Sequence, residues 1–161
     1  MAICNIDDLR PAMPPGSRLL GLDLGDRTIG MALSDSAFTV ASPIGTIRRA
    51  GRFGPDADAL IEVIDGREVG GIVLGLPRNM DGSLGPRAQA TRQFAYNLLK
   101  RREMPIVLWD ERLSTVAAER AMIREADLSR AKRARRIDQA AAAFILQGAL
   151  ERLRGLAGEA P

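Results

Sequence analysis

The chain of 161 residues has no histidine and a single cysteine. Without imidazole, and with one thiol at most, the only metal ligands in supply are oxygens. Zinc, which favours nitrogen and sulfur, is therefore excluded, while a hard cation such as Mg²⁺ or Mn²⁺ is not. A lone Cys4 also excludes a disulfide framework, and it reads as an incidental thiol. Aromatic residues are only 4% of the chain, and Trp109 and Phe94 sit at apolar positions that suit a core rather than a stacking platform for bases. No apolar run reaches the length that spans a bilayer, so no membrane partner is expected. The start carries Asp7 and Asp8 and lacks the basic-then-apolar order of a signal peptide, which predicts a cytoplasmic protein. Internal repeats and coiled-coil heptads are missing as well.

What is present has the ordinary balance of one globular domain, with 46% hydrophobic and 27% charged residues and a net charge of +3. Pro11, Pro14, Pro15 and Gly16 interrupt the start, so residues 1–17 are expected to be a flexible tail ahead of a domain over 18–155. Two apolar strands, about Arg18–Leu24 and Thr28–Ser34, are joined by a link short enough to demand an antiparallel hairpin. A third strand is expected near Ala41–Arg48. The pattern then changes to a helix over Pro55–Asp65, a continuously apolar strand at Gly71–Leu76, a helix over Ala88–Arg101 and a fifth strand at Ile106–Asp110. Ser114 suits the cap of a helix through Glu125, and a last helix is expected from about Ile137 to Leu153. Crossover helices make the later strands parallel, so the class is α/β: a mixed sheet with helices on both faces.

Three acids stand beside unusually apolar sequence. Asp23 ends the first strand within Gly21-Leu22-Asp23-Leu24-Gly25, Asp110-Glu111 ends the fifth, and Asp138 opens the Ala-rich last helix. A carboxylate in such surroundings is costly unless a cation compensates it, and one shared divalent metal would serve all three. The competing reading of each is structural: Asp23 capping a turn, Asp110-Glu111 and Asp138 favouring a helix N-terminus. Neighbours on an extended chain point to opposite faces, so only one of Asp110 and Glu111 can share a metal with Asp23. Glu111 is favoured for its reach. Asp138 heads the stripe Ala141, Ala142, Ile145 and Ala149, which directs it inward.

Two further segments suit a polyanion. The loop Leu76–Arg87 follows a buried strand, where α/β sheets bind ligands, and offers Arg78, Asn79 and Ser83 to phosphate; it lacks the Gly-Lys-Ser/Thr of a P-loop. Arg130, Lys132, Arg133, Arg135 and Arg136 crowd five cations into seven residues just before Asp138. Basic runs are commonly only solvated surface, but beside candidate metal ligands this one points to nucleic acid.

On Gly21–Gly30, Gly75-Leu76-Pro77-Arg78-Asn79 with Gly82-Ser83, Asp110–Thr115 and Ile137–Ala141, the chain resembles the YqgF/RuvX family, described as Holliday-junction-resolvase-like and as a pre-16S rRNA nuclease. These stretches span roughly residues 19–152. The resemblance implies a ribonuclease H-like fold, a five-stranded sheet in the order 3-2-1-4-5 with strand 2 antiparallel. It implies that Asp23, Glu111 and Asp138 are the metal-binding catalytic acids of a phosphodiesterase. Two Mg²⁺ or Mn²⁺ about 3.5–4 Å apart would activate a water and stabilise the leaving oxygen, leaving a 5′-phosphate and a 3′-hydroxyl. Arg112 and the cations at 130–136 would hold substrate phosphates. The implied partner is structured RNA, with the 5′ end of precursor 16S rRNA as substrate, or else a branched DNA junction; a monomer serves the first and a homodimer the second. Two rivals remain in view. An actin- or hexokinase-type phosphotransferase needs two such domains where this length fits one, and a non-catalytic nucleic-acid-binding or ribosome assembly factor would bind without cutting.

Overall fold

Leu19, Leu20 and Leu22 have no exposed surface, and they belong to the strand around which the whole sheet is arranged. In the computed structural model, residues 3–79, 81–111 and 130–159 are described, the side chains of 130–138 and 158–159 excepted. The order along the chain is β1 (Ile3–Cys4), α1 (Ile6–Ala12), β2 (Arg18–Leu24), β3 (Thr28–Ser34), β4 (Ala41–Arg48), α2 (Phe53–Gly66), β5 (Val69–Leu76), α3 (Pro86–Arg101), β6 (Ile106–Asp110) and α4 (Arg130–Glu159).

The sheet runs β1-β6-β5-β2-β3-β4. Strands β2 and β3 form the expected antiparallel hairpin, with Asp23 opposite Gly30. Strand β5 lies parallel to β2 and to β6, as the crossover helices require. Within the five expected strands the predicted order holds. The sixth, β1, is an addition: it pairs Ile3 with Ile106 at the far edge.

That addition corrects the expectation of an unstructured start. Pro11 lies inside a seven-residue helix, α1, whose Leu9 is fully buried. Gly71 makes this docking possible, since a Cβ there would stand 3.0 Å from Met13 Sδ and 3.2 Å from Leu9 Cδ1. Proline density marked the segment as irregular, yet Leu9 of one short helix and Met13 just after it are buried, and that tertiary packing offsets the tendency.

Two apolar layers cover the sheet. Leu19, Val73, Val107 and Trp109 meet α1 and the Ala141, Ile145, Leu146 and Leu150 stripe of α4. On the other face Leu20, Leu22, Ile72, Leu74 and Ile106 meet Leu60 and Ile64 of α2 and Phe94 and Leu98 of α3. Trp109 and Phe94 are core residues, as their sequence setting implied.

The last helix is also longer than expected. It begins at Arg130 rather than near Ile137, so the basic run is the start of α4 and not a linker, and Asp138 is its ninth residue rather than its first. Alanine, arginine and lysine all rank among the strong helix formers, so this stretch has the intrinsic propensity to extend the apolar helix behind it. A capping role for Asp138 at a helix start is thereby removed. The helix expected over 114–125 lies outside the described residues.

Candidate functional site

Asp23 is 2% exposed and lies near the C-terminal end of the central strand β2. Alternation along β2 puts it on the same face as Leu19 and Gly21, the face covered by α4. Glycine surrounds it there. Gly30 is its partner on β3. On the other side Leu22 pairs with Leu74, and continuing that parallel register by one residue sets Asp23 beside Gly75. A Cβ on Gly21 would stand 2.7 Å from Leu146 Cβ and 2.9 Å from the Ala142 carbonyl oxygen, so α4 rests directly on bare backbone. Side chains are missing from the sheet beside the acid, and the space they leave is taken up by α4.

Glu111 enters this trough from β6. Its Oε1 lies 2.9 Å from the point where a Cβ on Gly75 would stand, and Ile145 Cδ1 of α4 is 2.5 Å from the same point. Glu111 therefore occupies the α4 face beside Asp23. Asp110 does not. It pairs in register with Leu76, and Arg78 Nε approaches its Oδ2 at 3.9 Å. The split between neighbours expected from strand alternation is thus observed, with Arg78 beside Asp110.

The third acid is placed through its backbone alone. Asp138 is one turn before Ala142, the residue whose carbonyl meets Gly21, and two turns before Ile145, which meets Gly75. Its side chain lies outside the described residues, as does all of Arg112. Among the described residues no three acidic, cysteine or histidine side chains come together. Two carboxylates, Asp23 and Glu111, do share the trough. Their chemistry fits a hard divalent cation: the donors are oxygens, and one of the carboxylates is almost wholly buried.

The loop before α3 is placed differently from its expected role. Asn79 Nδ2 donates to Ser83 Oγ at 3.0 Å, and Ser83 Oγ donates to Asp81 Oδ1 at 2.6 Å. Arg78 Nη1 donates to the Gly82 carbonyl at 3.2 Å. The polar groups proposed for phosphate thus bond one another and hold the loop shape, with Gly82 at φ +88°. Arg87, to which the sequence pattern gave no role, donates from Nη2 at 3.4 Å to the carbonyl of Leu24, the residue that follows Asp23. The role of Gly75 was also missed. Its signal was available, since glycine inside an apolar strand marks a close approach. The cations at Arg130, Lys132, Arg133, Arg135 and Arg136 occupy the first two turns of α4, immediately before Asp138.

The family described as RuvX, Holliday junction resolvase, matches residues 17–152. A protein of Ruegeria pomeroyi is 59% identical over 155 residues, 96% of this chain and 99% of its own length, and carries the provisional name of pre-16S rRNA nuclease. A Rhodospirillum rubrum protein of the same name is 56% identical over 153 residues, 95% of this chain and 94% of its own. Among solved structures, Thermus thermophilus RuvC in complex with a Holliday junction substrate superposes with a TM-score of 0.55 at 11% identity, over 86% of this chain and 96% of that one. The yeast mitochondrial Holliday junction resolvase Ydc2 superposes with a TM-score of 0.51 at 16% identity, over 95% and 85%. At such identities the likeness is one of fold, and the fold is the ribonuclease H-like one.

Proposed function

Because the chain belongs to the RuvX family of nucleases, we propose that it is a metal-dependent endonuclease acting on structured RNA, and that it processes the 5′ end of precursor 16S rRNA. The observation that carries the reading is the pairing of Asp23 and Glu111 over a strip of sheet without side chains. Asp23, Glu111 and Asp138 are the residues assigned to hold Mg²⁺ or Mn²⁺. A cation bound there would supply Lewis-acid assistance to the attack of water on a phosphodiester.

The chain's own residues set the geometry of this step. Burial of Asp23 under α4 keeps bulk water off the carboxylate and fixes its rotamer. Glu111 lies over Gly75, in space that only glycine there leaves free. Cations at the start of α4 draw the phosphate backbone towards the acids, and Arg78, tied to Asp110, keeps that second acid on the other face.

Relatives at 53–59% identity named for pre-16S rRNA favour RNA, while the family description favours a four-way DNA junction. A single assay separates them. Wild type and Asp23→Asn are compared on a precursor rRNA end and on a four-way DNA junction, with Mg²⁺ and with Mn²⁺. Cleavage of the RNA alone, lost in the variant, supports the proposal. Cleavage of the junction alone replaces it with a resolvase, and binding of either without cleavage in both metals makes the protein a non-catalytic factor.

A further inference from the structure

A cavity of about 680 Å³ opens between the β2–β3 turn, the β4–α2 connection and α3. That volume falls within the roughly 300–1,000 Å³ of sites that take a small organic group. Its lining includes Arg27, Arg48, Arg52, Phe53 and Asn97. Arg27, Arg48 and Arg52 are exposed, and among the described residues none of the three takes part in an ion pair. By contrast, Arg101 and Arg102 are engaged with Asp58 and Asp65.

A fourth arginine serves as a strut. Arg49 Nη1 donates to the Gly25 carbonyl at 2.8 Å, and its Nε is 3.5 Å from Oδ2 of Asp56, a carboxylate only 2% exposed that also accepts the Ala50 amide at 2.9 Å. The Arg49 amide donates to the Arg27 carbonyl at 2.8 Å. Turn and α2 are thereby held at a fixed separation, and the charges of Arg27, Arg48 and Arg52 are left facing a preformed gap. Asp56 is already neutralised by Arg49, so exposed Asp26 is the acid that remains at the lining. Three cations against one remaining acid leave a surplus of positive charge at the lining, which an anion would offset.

The gap lies at the same end of the sheet as Asp23. Gly30 pairs with Asp23, and Thr28, two residues away, pairs with Arg48. At about 3.4 Å per residue this is a step of roughly 7 Å along β3. Phe53, half-buried and edge-on to Phe94 at 5.3 Å, adds an apolar surface at the lip against which a base can rest.

We propose that this cleft is a second phosphate-binding subsite, which holds the nucleic-acid strand flanking the cleaved bond. The assignment rests on the nuclease reading and adds to it a strand path that passes from the acids over the β2–β3 turn. Free nucleoside phosphates share the ligand chemistry, so the test separates the two sources.

The experiment uses the full chain with Asp23→Asn, so that bound strands survive, and adds Arg27→Gln, Arg48→Gln and Arg52→Gln together. Glutamine keeps the aliphatic stems and removes the charge. Melting temperature verifies folding, and the three single variants stand in if the triple one fails to fold. Fluorescence anisotropy then follows single-stranded RNA of increasing length at several salt concentrations, with ADP as the free-nucleotide probe. The expected result is a loss of affinity of tenfold or more that is confined to strands long enough to leave the acid site. The log–log salt slope should flatten by about 2, near 0.7 per neutralised phosphate. Equal affinity and slope in both proteins overturn the subsite. Stabilisation by ADP that leaves RNA binding unaltered also overturns it, assigning the cleft to a small nucleotide. A parent protein that binds no nucleic acid at all removes the nuclease reading and the subsite together, an outcome distinct from RNA binding that ignores the cleft.

Discussion

Single residues at the site act as much by the atoms they lack as by those they carry. Gly75 is the sharpest case: a methyl group there would meet Ile145 Cδ1 at 2.5 Å and Glu111 Oε1 at 2.9 Å. Gly75→Ala is expected to cost about 1–3 kcal/mol, the range of an overpacked core, and to lower cleavage by more than the stability loss explains because Glu111 must move. Denaturant melts and rate measurements on the same samples check both parts. A second prediction concerns Asp35, whose carboxylate is held well below its ordinary range, to about 2, mainly by the Thr39 hydroxyl and then by the Val40 amide. A depressed folded pKa stabilises the native state above the unfolded value of 3.8, and that stabilisation disappears as pH falls towards 2. Asp35→Asn is therefore expected to lower the melting temperature near pH 5, with the gap to wild type closing by about pH 2. Because the group is exposed, the effect is small.

α1 is short and interrupted by Pro11, so its place depends on packing more than on propensity. Leu9 is fully buried against the sheet, and Leu9→Ala is expected to cost about 2–5 kcal/mol, measured by urea unfolding. An exposed tail would show no change. In α4 the basic residues occupy turns that lead into Asp138. Replacing Lys132, Arg133, Arg135 and Arg136 with alanine should keep the helix, since alanine is the strongest helix former. Circular dichroism should show unreduced helicity while the salt slope of RNA binding flattens by about 2. An unchanged slope would make these turns a solvated surface.

For the molecule as a whole the decisive variable is the cation. Chelation is expected to abolish cleavage, and Mg²⁺ or Mn²⁺ to restore it, since carboxylates alone offer no nucleophile for a phosphodiester. Asp23→Asn, Glu111→Gln and Asp138→Asn should each reduce the rate by well over 100-fold, and combinations should add little because the three are assigned to one unit. Undiminished cleavage in chelator would remove the metal from the assignment. The sequence alone determined the five strands, the antiparallel hairpin and the crossovers, because apolar periodicity and loop length are local and chain reversal leaves few topologies, while their order in the sheet came from the family resemblance. It also determined the oxygen-only donor set and the division between Asp110 and Glu111, which follows from strand alternation. Tertiary structure decided the rest. Whether the proline-rich start packs depended on the bare surface of Gly71, some sixty residues away. The glycine trough and the arginine cleft arise only when residues 21, 30 and 75, or 27, 48 and 52, are brought together by strand pairing. Such contacts join positions far apart along the chain, so no local pattern encodes them.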